Sequence, residues 1–196
     1  MLFYGLPRFS IDLDFDLLES EKKEEVFAKL GEILPQFGTV IEASDKYYTL
    51  FFLLSYKKGE RGLKVEISKR IIKSAYEPKN FLGISVLVMK KEYMLAGKLS
   101  ALLTRKKFAA RDLFDLWFFL KNNWKIDHNL LKDQTCMSLT EALGNARVRV
   151  SSVKKTELLS GLGELIGEDQ KKWVRENLQN DLLFLLKLYE YGQGVA

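Results

Sequence analysis

Asp12 and Asp14 stand two residues apart in a stretch where Phe9, Ile11, Leu13 and Phe15 alternate with Ser10, Asp12, Asp14 and Asp16. Alternation with a period of two marks a β-strand with one apolar and one polar face, so successive aspartates project from the same side, about 6.5–7 Å apart. Carboxylates at that spacing repel one another unless a cation lies among them. Mg2+ or Mn2+ suits such a pair, because these hard cations bind one or two carboxylates together with phosphate oxygens and water. A bare D-x-D is more often a solvated face, but Glu66 adds weight to the metal reading. It lies between Val65 and Ile67 on a second alternating stretch, with the parity of a polar face. Pairing of the two strands would bring a third carboxylate beside the first two.

A second set of charges lies further along. Lys98 falls four residues after Met94 and three after Leu95, on the apolar stripe of a helix, where an ammonium must either reach outward or meet an anion. Arg105, Lys106, Lys107 and Arg111 then cluster around a short connection, followed by Asp112 and Asp115 three apart on one helix face. By themselves such charges read as surface ion pairs, which contribute little.

The elements that must carry these residues change character once. Before Lys90 the chain reads as strands, at Phe9–Asp16, Thr39–Ala43, Tyr47–Tyr56, Leu63–Ser68 and Ile84–Met89. One helix starts after Ser20, bears Val26, Phe27, Leu30, Ile33 and Leu34, and ends at Pro35 and Gly38. The polar turn Lys57–Gly62 reads as a hairpin connection. After Lys90 the apolar period becomes about 3.6, with helices around 94–103, 113–120 and 173–186 and shorter helical segments near 130–131, 139–143 and 158–165. Strands followed by helices predict an α+β fold: a mixed or antiparallel sheet with flanking helices over residues 1–90 and a helical bundle over 91–196.

Composition narrows the classes. The chain has 196 residues, 47% of them hydrophobic, and a formal charge of +5, which favours polyanionic partners without naming one. A single cysteine, Cys136, and a single histidine, His128, exclude an intramolecular disulfide framework and a closed zinc site in one chain. No apolar run has the length of a membrane span and no secretory signal is visible, so a cytoplasmic protein with no membrane partner is expected. Gly161, Gly163 and Gly167 are spaced one residue too widely for a dinucleotide fingerprint. Phe114, Trp117, Phe118 and Phe119 have the spacing of core residues.

Three segments in this order, FYGLPRFSIDLDFDLL at 3–18, LKVEISKR at 63–70 and LAGKLSALLTRKKFAARDLFDLWFFLK at 95–121, resemble the AbiEii nucleotidyltransferase toxin family, within the polymerase-β-like nucleotidyltransferases. The resemblance covers about the first 120 residues and implies a toxin of a toxin–antitoxin or abortive-infection system. It implies transfer of a nucleoside monophosphate from an NTP to an acceptor such as RNA, with Mg2+ or Mn2+ held by Asp12, Asp14 and Glu66. It also implies that Lys98 and Asp112 are catalytic, that Ser10, Lys98, Arg111 and Asp115 serve the nucleotide, and that a cognate antitoxin is a partner. The family's glycine-rich segment, about a dozen residues before the first metal aspartate, is not in this sequence; Gly5 does not replace it. A chain short of that loop is therefore expected, and a catalytically degenerate fold acting as a protein-binding module is the alternative reading.

Overall fold

The computed structural model describes residues 2–71 and 73–193. The chain folds as two compact units, one of Ser10–Ile72 and one of Met1–Phe9 with Lys73–Ala196. This division differs from the expected 1–90 and 91–196. The first residues group with the later part of the chain through long-range contacts, Arg8 pairing with Asp115 and the Tyr4 hydroxyl donating to Glu77 and to the Met89 carbonyl in the segment before Lys90.

The sheet unit holds β1 (Asp12–Asp16), α1 (Lys23–Ile33), β2 (Thr39–Lys46), β3 (Thr49–Ser55) and β4 (Leu63–Ser68), with sheet order β1-β4-β3-β2. β1 runs parallel to β4, while β3 is antiparallel to both β4 and β2. Leu50, Phe52 and Leu54 of β3 stand opposite Ile67, Val65 and Leu63 of β4. With Leu34 they form the core, closed by Val26, Phe27 and Leu30 of α1. Each fully buried Leu or Phe of this kind stabilises the fold by roughly 1.5–3 kcal/mol. A Cβ on Gly38 would lie 2.5 Å from the Ser55 carbonyl oxygen, so only glycine lets the chain leave α1 this close to β3.

β1 begins at Asp12, not at Phe9, and its Leu13 and Phe15 stay 42% and 52% exposed because β1 is an edge strand. The expected strand at Tyr47–Tyr56 contracts to Thr49–Ser55, with Tyr47 and Tyr48 forming the turn from β2.

The second unit contains the hairpin β5 (Tyr76–Phe81) and β6 (Ile84–Met89). Pro78 concealed β5 from the sequence reading, since proline is tolerated only where a strand lacks one ladder bond. The helices are α2 (Lys91–Thr104), α3 (Ala110–Lys121), α4 (His128–Thr135), α5 (Leu139–Ser151), α6 (Glu168–Trp173) and α7 (Gln179–Gln193). The expected last helix is a joined pair, with a π-helical turn at Val174–Leu178 that buries Val174 and Leu178. The segment expected to be helical at 158–165 forms only 3-10 turns; Gly161, at φ +65°, breaks it. α2 packs against α3, α4 and α5, and α7 against α3 and α5. Leu95, Leu99, Leu113, Phe114, Leu116 and Leu131 are fully buried in this core. α5 starts with a capping box in which the Ser138 hydroxyl accepts from the Glu141 N–H and Glu141 accepts from the Ser138 N–H.

Candidate active site

The sheet unit aligns its carboxylates through register. Asp12 stands beside Lys64, Asp14 beside Glu66 and Asp16 beside Ser68 in the parallel β1–β4 ladder. Paired residues point to the same face, so Asp12, Asp14, Asp16 and Glu66 share the face opposite the α1 core. The same face carries Phe51 next to Glu66 and Leu53 next to Lys64. Asp14 is exposed, Asp12 and Glu66 half-buried. Ser10 lies just before β1, and its hydroxyl donates to the Asp12 carbonyl at 3.1 Å.

Oxygen donors on one face suit Mg2+ or Mn2+ held by one or two carboxylates plus phosphate oxygens and water. A pre-gathered cage is a different matter: among the described residues no three Asp, Glu, His or Cys side chains are close enough to hold a metal ion. The convergence of three carboxylates expected from the sequence is thus an alignment of backbone positions, which fits a pair of carboxylate ligands better than a closed set.

The helical unit holds a compact ion-pair cluster. Lys98 of α2 reaches Asp112 Oδ1 at 3.0 Å and Asp115 Oδ2 at 2.8 Å, both on the first turns of α3. Arg105, just past the end of α2, pairs with Asp112 Oδ2 at 2.8 Å. Arg8 grips Asp115 with two bonds, Nε to Oδ1 at 2.6 Å and Nη2 to Oδ2 at 2.8 Å. Asp112 is 2% exposed and Asp115 fully buried. Burial pushes the Asp115 carboxyl up, but the Arg8 hydrogen bond and the Lys98 and Arg8 charges outweigh it and hold it below the usual carboxylate range. Arg149 of α5 donates to the carbonyls of Leu103 and Arg105, fixing the end of α2 from which Arg105 reaches Asp112.

Lys98 therefore meets internal anions instead of reaching outward. Three cations face two carboxylates, leaving one positive charge in excess. Asp115 is enclosed by Arg8 and Lys98, and Arg111, half-buried, is not a partner of either aspartate. Arg8 escaped the sequence reading as a site residue. Its only signal was its place two residues before Ser10, ahead of the aspartate pair. The segment bearing it is further tied to its unit by the Phe9 N–H to the Leu165 carbonyl at 2.8 Å and by Gln170 Nε2 to the Pro7 carbonyl at 2.8 Å.

Among the described residues no helix is long and apolar enough to cross a membrane. No curated protein matches the sequence. Two solved structures share the fold. A nucleotidyltransferase candidate from H. pylori superposes with a TM-score of 0.60 at 24% identity, over 95% of this chain and 80% of its own. JHP933 from Helicobacter pylori superposes with a TM-score of 0.52 at 20% identity, over 98% of this chain and 83% of its own. The family described as nucleotidyl transferase AbiEii toxin, type IV toxin–antitoxin system, matches residues 1–181, and the chain, with its aligned aspartates and Lys98–Asp112 cluster, belongs to that family.

Proposed function

We propose that the chain transfers a nucleoside monophosphate from an NTP to an acceptor hydroxyl on RNA, as the toxin of a pair with a cognate antitoxin. The observation that carries this reading is the β1–β4 register, with Asp14 beside Glu66 and Asp12 two residues along on the same face. Asp12 and Asp14, with Glu66 across the strand pair, would hold Mg2+ or Mn2+. When bound, such an ion supplies charge neutralisation of the triphosphate and polarises the α-phosphorus. Ser10, directly before the strand, would serve the nucleotide through its hydroxyl. In the helical unit the excess positive charge of the Arg8, Lys98 and Arg105 set would offset phosphate charge, with Lys98 as the nucleotide ligand and Asp112 orienting it. Asp115 acts through Lys98 and Arg8 rather than on the nucleotide itself, and Arg111 would approach a phosphate from the first turn of α3.

Incubation of the purified chain with labelled NTPs, Mg2+ or Mn2+ and bulk RNA tests the reading. Label should enter RNA with the native chain and not with Asp14→Asn. Equal incorporation by both proteins would remove Asp14 from the chemistry, and none by either, with no NTP binding in calorimetry, would end the transferase reading.

A further inference from the structure

We infer that the β2–β3 turn forms a stacking platform for an unpaired stretch of single-stranded nucleic acid; as the acceptor's docking site, it rests on the transfer reading above. Tyr47 and Tyr48 make up the turn, 84% and 53% exposed, with ring centres 4.4 Å apart and planes at 90°. Two-residue hairpin turns favour Asn-Gly and similar pairs because their central residues adopt positive φ. Here neither tyrosine does, and two large rings face water where small residues would fold more easily. A local rule broken at no gain to the core marks a position kept for contact with something else.

The surroundings indicate what that is. The Arg70 guanidinium lies 4.9 Å from the Tyr48 ring centre, and the strand ends are fastened by the Lys69 N–H to the Tyr48 carbonyl at 2.8 Å and the Arg70 N–H to Ser68 Oγ at 3.3 Å. Lys69 is neutralised by Asp45 and Lys46 by Glu42, whereas Arg70 has no carboxylate partner among the described residues. Exposed rings beside a planar cation are the recurring means of holding unpaired bases, whose faces stack on the rings while the guanidinium meets a phosphate. The location agrees. Phe51 neighbours Glu66, and Tyr48 lies three residues earlier, in the turn that leads into β3, about 10 Å away by strand rise. A strand held there ends close to the acidic face of its own unit.

The test uses fluorescence anisotropy of a short labelled oligoadenylate with the full chain. Tyr47→Ala and Tyr48→Ala should each weaken binding on the order of tenfold, Tyr48→Phe should stay within about twofold, and Tyr56→Ala, an exposed tyrosine at the other end of β3, should change nothing. Arg70→Gln should reduce the slope of log affinity against log salt by about 0.7. Calorimetric binding of ATP with Mg2+ should be the same in all of them. The proposal is overturned if the native chain does not bind the oligonucleotide. It is also overturned if the alanine variants bind as the native chain does, if they lose ATP to the same degree, or if they lose only a purified antitoxin. Should oligonucleotide binding depend on these rings while no nucleotide is ever incorporated, the transfer reading fails and the platform stands. Should Tyr48→Ala incorporate nucleotide into RNA with native KM, the platform fails and the transfer reading stands.

Discussion

The two units use the same side chain in opposite ways. On the sheet, Asp14 is exposed beside a half-buried Glu66, the two aligned by ladder register. In the helices, Asp112 and Asp115 are withdrawn from water and matched to Lys98, Arg105 and Arg8 within 3.0 Å. A carboxylate taken out of water must be paired or pay several kcal/mol, so the helical aspartates are committed to their cations. An exposed one keeps much of its hydration and lies within reach of a cation from solution. The difference separates carboxylates fixed inside a buried ion-pair cluster from carboxylates carried at the surface of the sheet.

That separation can be broken most visibly at Asp115. Replacing it by alanine leaves Arg8, whose side chain is only 10% exposed, without its partner, and urea denaturation should show a loss of about 3–5 kcal/mol. A change below about 1 kcal/mol would mean the cluster is not the rigid structural element its burial implies. On the sheet the effects should reverse. Asp14→Asn should lower nucleotide incorporation about 100-fold or more while unfolding free energy stays within about 0.5 kcal/mol of native.

The acid limb of stability sharpens the contrast. The Asp115 carboxyl is held below its ordinary value, so its contribution is fully present above the unfolded-state value of about 3.9 and is lost as pH falls through the lower folded value. Urea midpoints measured from neutral to strongly acid pH should fall in the native chain over that window and fall less in Asp115→Asn. A parallel decline in both would assign the acid lability elsewhere. The smallest expected effect is at the start of α5, where Ser138→Ala should cost about 1 kcal/mol and leave incorporation unchanged. It calibrates what a stability loss away from both constellations does to activity.

Much of the candidate site was legible because period-two alternation assigns a face directly: Asp12, Asp14 and Glu66 could each be given a polar side without knowing any partner. Less accessible was Arg8, whose significance comes from Asp115, far along the chain and brought near only by packing. Lys98 shows the same limit from the other side. Its place on an apolar stripe required an anion or an escape to solvent, and spacing alone could not choose between them. β5 was missed because Pro78 is a poor strand residue, tolerated here in a two-stranded hairpin.

Local patterns, then, settled most of the element types, the polar face of Asp12, Asp14 and Glu66 and the family resemblance, because each depends on neighbours a few positions away. Three things needed the folded chain: the parallel register that seats Asp14 beside Glu66, the enclosure of Asp112 and Asp115 by three cations, and the packing of the first residues with the helices. Each of these depends on contacts between residues distant in sequence. Their energies come from burial and charge pairing, which spacing along the chain does not encode.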